Sequence, residues 1–229
     1  YTVTAVSPNN SCPSVNFTAT IFINLVTPSV LTGDTTICSG GNPLAFILTS
    51  ASMGSGNTTY QWQSSTTSAV AGFSNIAGAG TTSATYDPPA GVSITTYYRV
   101  ITTSILNGVS CFVYSNVLTV IVNTVSAGSL SQTQTICSPG NPNPFTIIAG
   151  ASGAGTLSYQ WQSSTTSPAA GFTNIAGETN STYDPPAGLT VTTYYQVIST
   201  SILNNIPCTA ISNTLTVTVT AAPFVQNFV

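Results

Sequence analysis

Nine residues, Tyr60-Gln-Trp-Gln-Ser-Ser-Thr-Thr-Ser68, return unchanged as Tyr159-Gln-Trp-Gln-Ser-Ser-Thr-Thr-Ser167, 99 positions later. Aromatic and amide side chains alternate in both copies. Residues two apart in a strand share a face, so Tyr60 and Trp62 are expected to point into a core and Gln61 and Gln63 into water. A period near 99 residues with one buried Trp per period predicts an all-β chain of tandem β-sandwich domains. The 229 residues hold two such domains and part of a third.

The copies set expected boundaries at residues 27–123 and 124–220. Residues 1–26 read as the C-terminal strands of a preceding repeat, because Cys12 lies 99 positions before Cys111 and Tyr1-Thr-Val3 echoes Tyr98-Arg-Val100. Residues 221–229 match neither linker and are expected to begin a further segment or to serve as a contact tail. Trp62, Trp161, Tyr98 and Tyr195 are the expected core anchors, with the two tyrosines as candidate corner residues. Phe46 and Leu48 should face inward and Ile47 outward, since its counterpart is Thr146. Tyr97 and Arg99 should face out. Tyr86-Asp-Pro-Pro should form an edge corner, because Pro lacks the ladder donor. The linkers are short, which predicts an extended rod.

Cysteines recur near the start and end of each repeat. Cys38 and Cys111 are 73 positions apart, and Cys137 and Cys208 are 71 apart. That spacing predicts two intra-repeat disulfides, Cys38–Cys111 and Cys137–Cys208, and with them an oxidising compartment outside the cytoplasm. No Cys-x-x-Cys and no His occur, so a zinc site is not expected. Cys12 is left unpaired in this fragment.

Only 2% of residues are charged, against about a quarter in ordinary domains. A single Arg, Arg99, cannot neutralise a phosphate backbone, so nucleic acid is not an expected partner. No apolar run reaches the length of a membrane-spanning helix, so membrane insertion is not expected. The absence of His and Lys rules out a Ser-His-Asp triad and a Lys nucleophile. The acids are Asp34, Asp87, Glu178 and Asp184. Asp87 and Asp184 occupy equivalent positions beside Pro-Pro and read as turn residues. No catalytic, metal or cofactor site is expected.

The run Tyr-Gln-Trp-Gln-Ser-Ser, then Phe-x-Asn-Ile-x-Gly, Tyr-Asp-Pro-Pro-Ala-Gly and Thr-Thr-Tyr-Tyr-x-Val, closing with Cys and a Val/Thr-rich strand, resembles the Ig-like repeats of giant Bacteroidota cell-surface proteins. These include gliding-motility adhesins exported by the type IX secretion system. The resemblance implies tandem Ig-like β-sandwich domains of about seven strands each, serving as a non-enzymatic structural stalk on the bacterial surface, associated with the outer membrane. Its implied partners are other domains of the same chain, surface glycans, or proteins of the secretion and motility apparatus. Asp34-Thr35-Thr36 is similar to the short O-glycosylation motif of that phylum, which makes Thr35 a candidate acceptor. Two other readings compete. One is a self-assembling extracellular filament or sheath, favoured by a charge-poor surface. The other is a carbohydrate-binding module of a secreted enzyme, using Tyr97 and Tyr194.

Overall fold

A computed structural model describes residues 2–5, 15–50, 53–78 and 82–222. Cys12 and residues 223–229 lie outside the described residues. Among the described residues every regular element is a strand.

β1 (Thr2–Ala5) and β2 (Val15–Thr18) form an antiparallel pair. The first repeat then supplies β3 (Val30–Leu31), β4 (Thr35–Cys38), β5 (Phe46–Ser50), β6 (Asn57–Ser65), β7 (Ser74–Asn75), β8 (Thr85–Tyr86), β9 (Thr96–Leu106), β10 (Val109–Tyr114) and β11 (Leu118–Asn123). The second follows the same order with β12 (Val125–Leu130), β13 (Gln134–Cys137), β14 (Phe145–Gly153), β15 (Thr156–Ser164), β16 (Thr173–Asn174), β17 (Thr182–Tyr183), β18 (Thr193–Leu203), β19 (Ile206–Ile211) and β20 (Leu215–Thr220). Among the described residues, nine strands per repeat exceed the expected seven because short pairings such as β7 and β8 hold the loop that ends in the Pro-Pro corner. The chain is a tandem of Ig-like β-sandwiches.

Two compact units emerge, and their division does not follow the repeat boundary. One holds Tyr1–Gly33, Ala45–Asp87 and Tyr97–Leu118; the other holds Asp34–Leu44, Pro88–Thr96 and Thr119–Val229.

In the second unit, the larger sheet of the second repeat runs β13-β20-β18-β15-β16, with β19 also on β18, and the smaller runs β12-β14-β17. β13 pairs parallel with β20, as β4 does with β11. The two sheets of the second repeat bury Leu130, Phe145, Trp161, Tyr183, Tyr195, Val197, Leu215 and Val217. Alternation explains the selection. Along β18, Thr193, Tyr195, Val197, Ser199 and Ser201 are buried, and these are every second residue. Trp161 is 0% exposed, and its indole Nε1 donates to the Asn180 carbonyl at 2.9 Å. A buried indole N–H needs such a partner.

The first unit repeats this chemistry. Trp62 is 0% exposed and donates to the Ser83 carbonyl. Phe46 lies 5.0 Å from Tyr98 and 6.1 Å from Trp62, ring centre to ring centre. Ile47 is exposed, as its partner Thr146 predicts. Tyr98 and Val100 are buried.

The glutamines correct one expectation. Gln63 is buried, not turned to water. Its Nε2 donates to Asn75 Oδ1, and its Oε1 accepts from Arg99 Nε at 2.8 Å. Gln61 donates to the carbonyls of Trp62 and Ile76. Asn75 on the edge strand β7 and Arg99 on β9 both stand opposite Gln63 in the same sheet, so the Gln63 amide is buried by its cross-strand neighbours.

Candidate functional site: the Cys38–Cys208 staple

β4 ends at Cys38, whose register partner on β11 is Asn123. β19 carries Cys208, whose partner on β18 is Ser201. Cys38 and Cys208 are joined by a disulfide with Cα atoms 5.5 Å apart, and both belong to the second unit. The bond therefore links a strand of the first repeat to a strand of the second.

This corrects both expected pairings. Cys111 and Cys137 are free thiols, the first half-buried and the second exposed. The register of the second repeat gives the reason. Thr193 of β18 stands opposite Val217 of β20. From that level Cys208 lies eight residues along β18, beside Ser201. Cys137 lies three residues the other way, beside Thr220 of β20. Eleven steps at about 3.3 Å separate them by roughly 36 Å, whereas bridged Cα atoms lie within about 7 Å. The two cysteines of one repeat sit at opposite ends of its sheet.

Asn123 stands beside the staple, in register with Cys38. It is 0% exposed. Its Nδ2 donates to the carbonyls of Ser201 at 2.8 Å and Ile206 at 2.9 Å, and its Oδ1 accepts from Ser201 Oγ at 2.8 Å. Both amide hydrogens and the carbonyl are used, so the side chain works as a plug in the β18–β19 hairpin. At the hairpin tip, Asn204 Nδ2 donates to Thr36 Oγ1 at 3.0 Å. A groove of about 350 Å3 beside it is lined by Asp34, Thr35, Thr36, Ile121, Asn204 and Ile206. The candidate glycan acceptor Thr35 is half-buried on β4, and the Asp34 carboxylate accepts from the Thr119 amide at 2.7 Å.

The remaining candidates fall elsewhere. Tyr97 and Tyr194 are half-buried. Arg99 is held with its guanidinium carbon 4.0 Å from the ring centres of both Phe73 and Tyr114, a cation–π sandwich. Burial pushes the Tyr195 phenol up to about 12, with Tyr183 adding to the effect. Burial also raises Tyr183, assisted by Glu178 and Asp184, and raises Tyr86, assisted by Asp87. Among the described residues, no three His, Cys, Asp or Glu side chains converge where they could hold a metal ion. No helix among them is long and apolar enough to cross a membrane. Sequence reasoning missed the Asn plug, although Asn24 precedes Asn123 by 99 positions, the spacing of the repeat itself.

Comparison with solved structures returns Ig-type folds at low identity. The chain is similar to the three N-terminal domains of the bacteriophage RB49 highly immunogenic outer capsid protein, at 11% identity, covering 86% of this chain and 70% of that one, with a TM-score of 0.46. It is similar to the four N-terminal Ig domains of Dscam1 isoform 8.4, at 11% identity over 96% of this chain and 47% of that one, TM-score 0.32. It is also similar to the insect immune protein hemolin, at 10% identity over 90% of this chain and 52% of that one, TM-score 0.34. The chain thus spans about half the length of the last two. Comparison with curated proteins gives no match. One family model fits residues 27–124 and again 126–221, and the chain therefore belongs, twice over, to the family described as a domain of unknown function, DUF8696.

Proposed function

We propose that this chain is a load-bearing stalk segment of a large cell-surface adhesin, non-enzymatic, of the kind Bacteroidota export through the type IX secretion system for gliding or attachment. The observation that carries this reading is the Cys38–Cys208 bond. The bond joins two successive repeats and closes neither one on itself. It fixes how far the repeats can be drawn apart. Tension applied to the ends of the chain passes through the bond and bypasses the residues between its two cysteines. A disulfide also persists best in an oxidising, extracellular setting. The resemblance of the repeat motifs to Bacteroidota surface proteins supports the source and the route. In this reading the segment spaces and holds, and partners such as surface glycans or motility proteins are met by other domains of the same chain.

Single-molecule stretching tests the load path. The bridged positions are 170 residues apart, which at about 3.5 Å per residue hides roughly 600 Å of contour from extension. Reductant should release that length. Equal extension with and without reductant overturns the load-bearing role. An antibody against the chain should label intact parent cells. Labelling only after permeabilisation overturns the surface assignment.

A further inference from the structure

The socket that receives Asn123 exists twice. In the first unit, Asn24 Nδ2 donates to the carbonyls of Ser104 at 2.8 Å and Val109 at 2.9 Å, and its Oδ1 accepts from Ser104 Oγ at 2.7 Å. Each of these bonds agrees within 0.1 Å with its Asn123 counterpart to Ser201 and Ile206. The segment after each plug is seated alike. The Ser55 amide donates to the Leu25 carbonyl and the Ala154 amide to the Thr124 carbonyl, both at 2.9 Å. The hairpin tips match as well, with Asn107 and Asn204 both at φ +50°. Cys111 stands opposite Ser104 as Cys208 stands opposite Ser201.

In the second socket, the strand running parallel beside the plug brings in Cys38, and Cys38 bonds to Cys208. In the first socket the plug is already in place, the receiving thiol is free, and it is half-buried. We propose that Cys111 is the receiving half of a second inter-repeat disulfide. Its partner is a preceding copy of this same repeat, through the cysteine at the position of Cys38. Asn107 then donates to the threonine of that copy at the position of Thr36, as Asn204 does to Thr36. Repeats in the array are cross-linked each to the next, never within themselves. The inference rests on the repeated socket and holds whether or not the chain belongs to an adhesin.

Bond formation is a two-electron oxidation. The two thiols give up two protons and two electrons, and an external disulfide accepts them as it is reduced to two thiols. Glutathione disulfide serves as that oxidant in the test.

The test adds one period to the full chain, by joining residues 1–123 to a second run of residues 25–229. C12S, C137S and, in the first copy only, C111S remove the other free thiols. A T36S mark in the first copy distinguishes the two Cys38 peptides while keeping the hydroxyl. After oxidation with glutathione disulfide, peptic peptides are mapped by mass spectrometry without reduction. The marked Cys38 peptide should be bridged to Cys111, and the unmarked one to Cys208. A bridge from the unmarked Cys38 to Cys111, or an alkylatable Cys111, overturns the proposal. A measurement on the unextended chain guards against misfolding of the long one. With C12S and C137S, Cys111 is the single free thiol and should form a mixed disulfide with glutathione. A Cys111 that resists the reagent is closed to any partner and also overturns it.

Discussion

Cys38 and Cys208 lie 170 residues apart in sequence, yet their Cα atoms are 5.5 Å apart and their sulfurs are bonded. A loop of that length gives the bond an entropic worth of about 5 kcal/mol in the chain-entropy model. C208S and C38S should therefore each lower stability against denaturant by up to about that amount. C111S and C137S should change it by less than about 0.5 kcal/mol, since both thiols are free. Urea titration of the four variants, with and without reductant, separates this from intra-repeat pairing. In that alternative all four substitutions would cost alike.

The Asn plug provides an internal replicate. N123A strips partners from a buried hydroxyl and two carbonyls at Ser201 and Ile206. Leaving such groups unpaired costs about 1–3 kcal/mol each before water repairs part of the loss, so a net destabilisation of about 3 kcal/mol is expected. N24A removes the same set at Ser104 and Val109, but Asn24 is only half-buried and its bond to Val109 is exposed, so water repairs more of the loss and the cost should be smaller, about 1–2 kcal/mol. N123A should also slow re-formation of Cys38–Cys208 after reduction, because Asn123 is the residue in register with Cys38. Thiol loss followed by a colorimetric reagent measures this. Unchanged kinetics would show that the plug does not position the bond.

The alternation through Trp62 and Trp161, the inward Phe46 and the outward Ile47 were legible in the sequence because a strand's period of two converts spacing into facing. The cysteine pairing was not. A Cys near each end of a repeat looks the same whether its partner belongs to that copy or to the next. Only strand register shows that Cys137 and Cys208 point to opposite ends of one sheet. Gln63 was misread for a related reason. Alternation assigns a face but does not say whether cross-strand neighbours such as Asn75 and Arg99 will bury a side chain there.

Two glycines next to the sockets admit no side chain. A Cβ at Gly56 would run into the Ile105 carbonyl, and one at Gly155 into the Ile202 carbonyl. Both obstacles are backbone within a paired strand and cannot swing aside. G56A and G155A should each cost about 2–3 kcal/mol, in the range of overpacked cores. Gly188 has a φ of +83° and open space around its missing Cβ, so G188A meets only the left-handed backbone penalty, about 1–2 kcal/mol. Thermal unfolding should find G188A the least destabilised of the three.

Alkaline pH should loosen the cores while mild acid leaves these phenols unaffected. Tyr195 is raised to about 12 because burial in the sandwich disfavours its phenolate, and Tyr183 and Tyr86 are raised for the same first cause. For an acid whose folded pKa exceeds its unfolded value of about 10, the fold prefers the protonated form. That preference contributes nothing to pH dependence while both states stay protonated. It becomes a loss once the unfolded chain ionises and the folded one does not. Stability should accordingly be flat up to about pH 9 and fall as pH rises from about 10 to 12. Y195F removes the titrating hydroxyl and keeps the ring, so the alkaline fall should become shallower in that variant. The measurement is denaturant unfolding between pH 7 and 12 with the reductant-free protein, followed by far-ultraviolet circular dichroism. An identical alkaline slope in wild type and Y195F would show that the buried Tyr195 phenol does not set this limit.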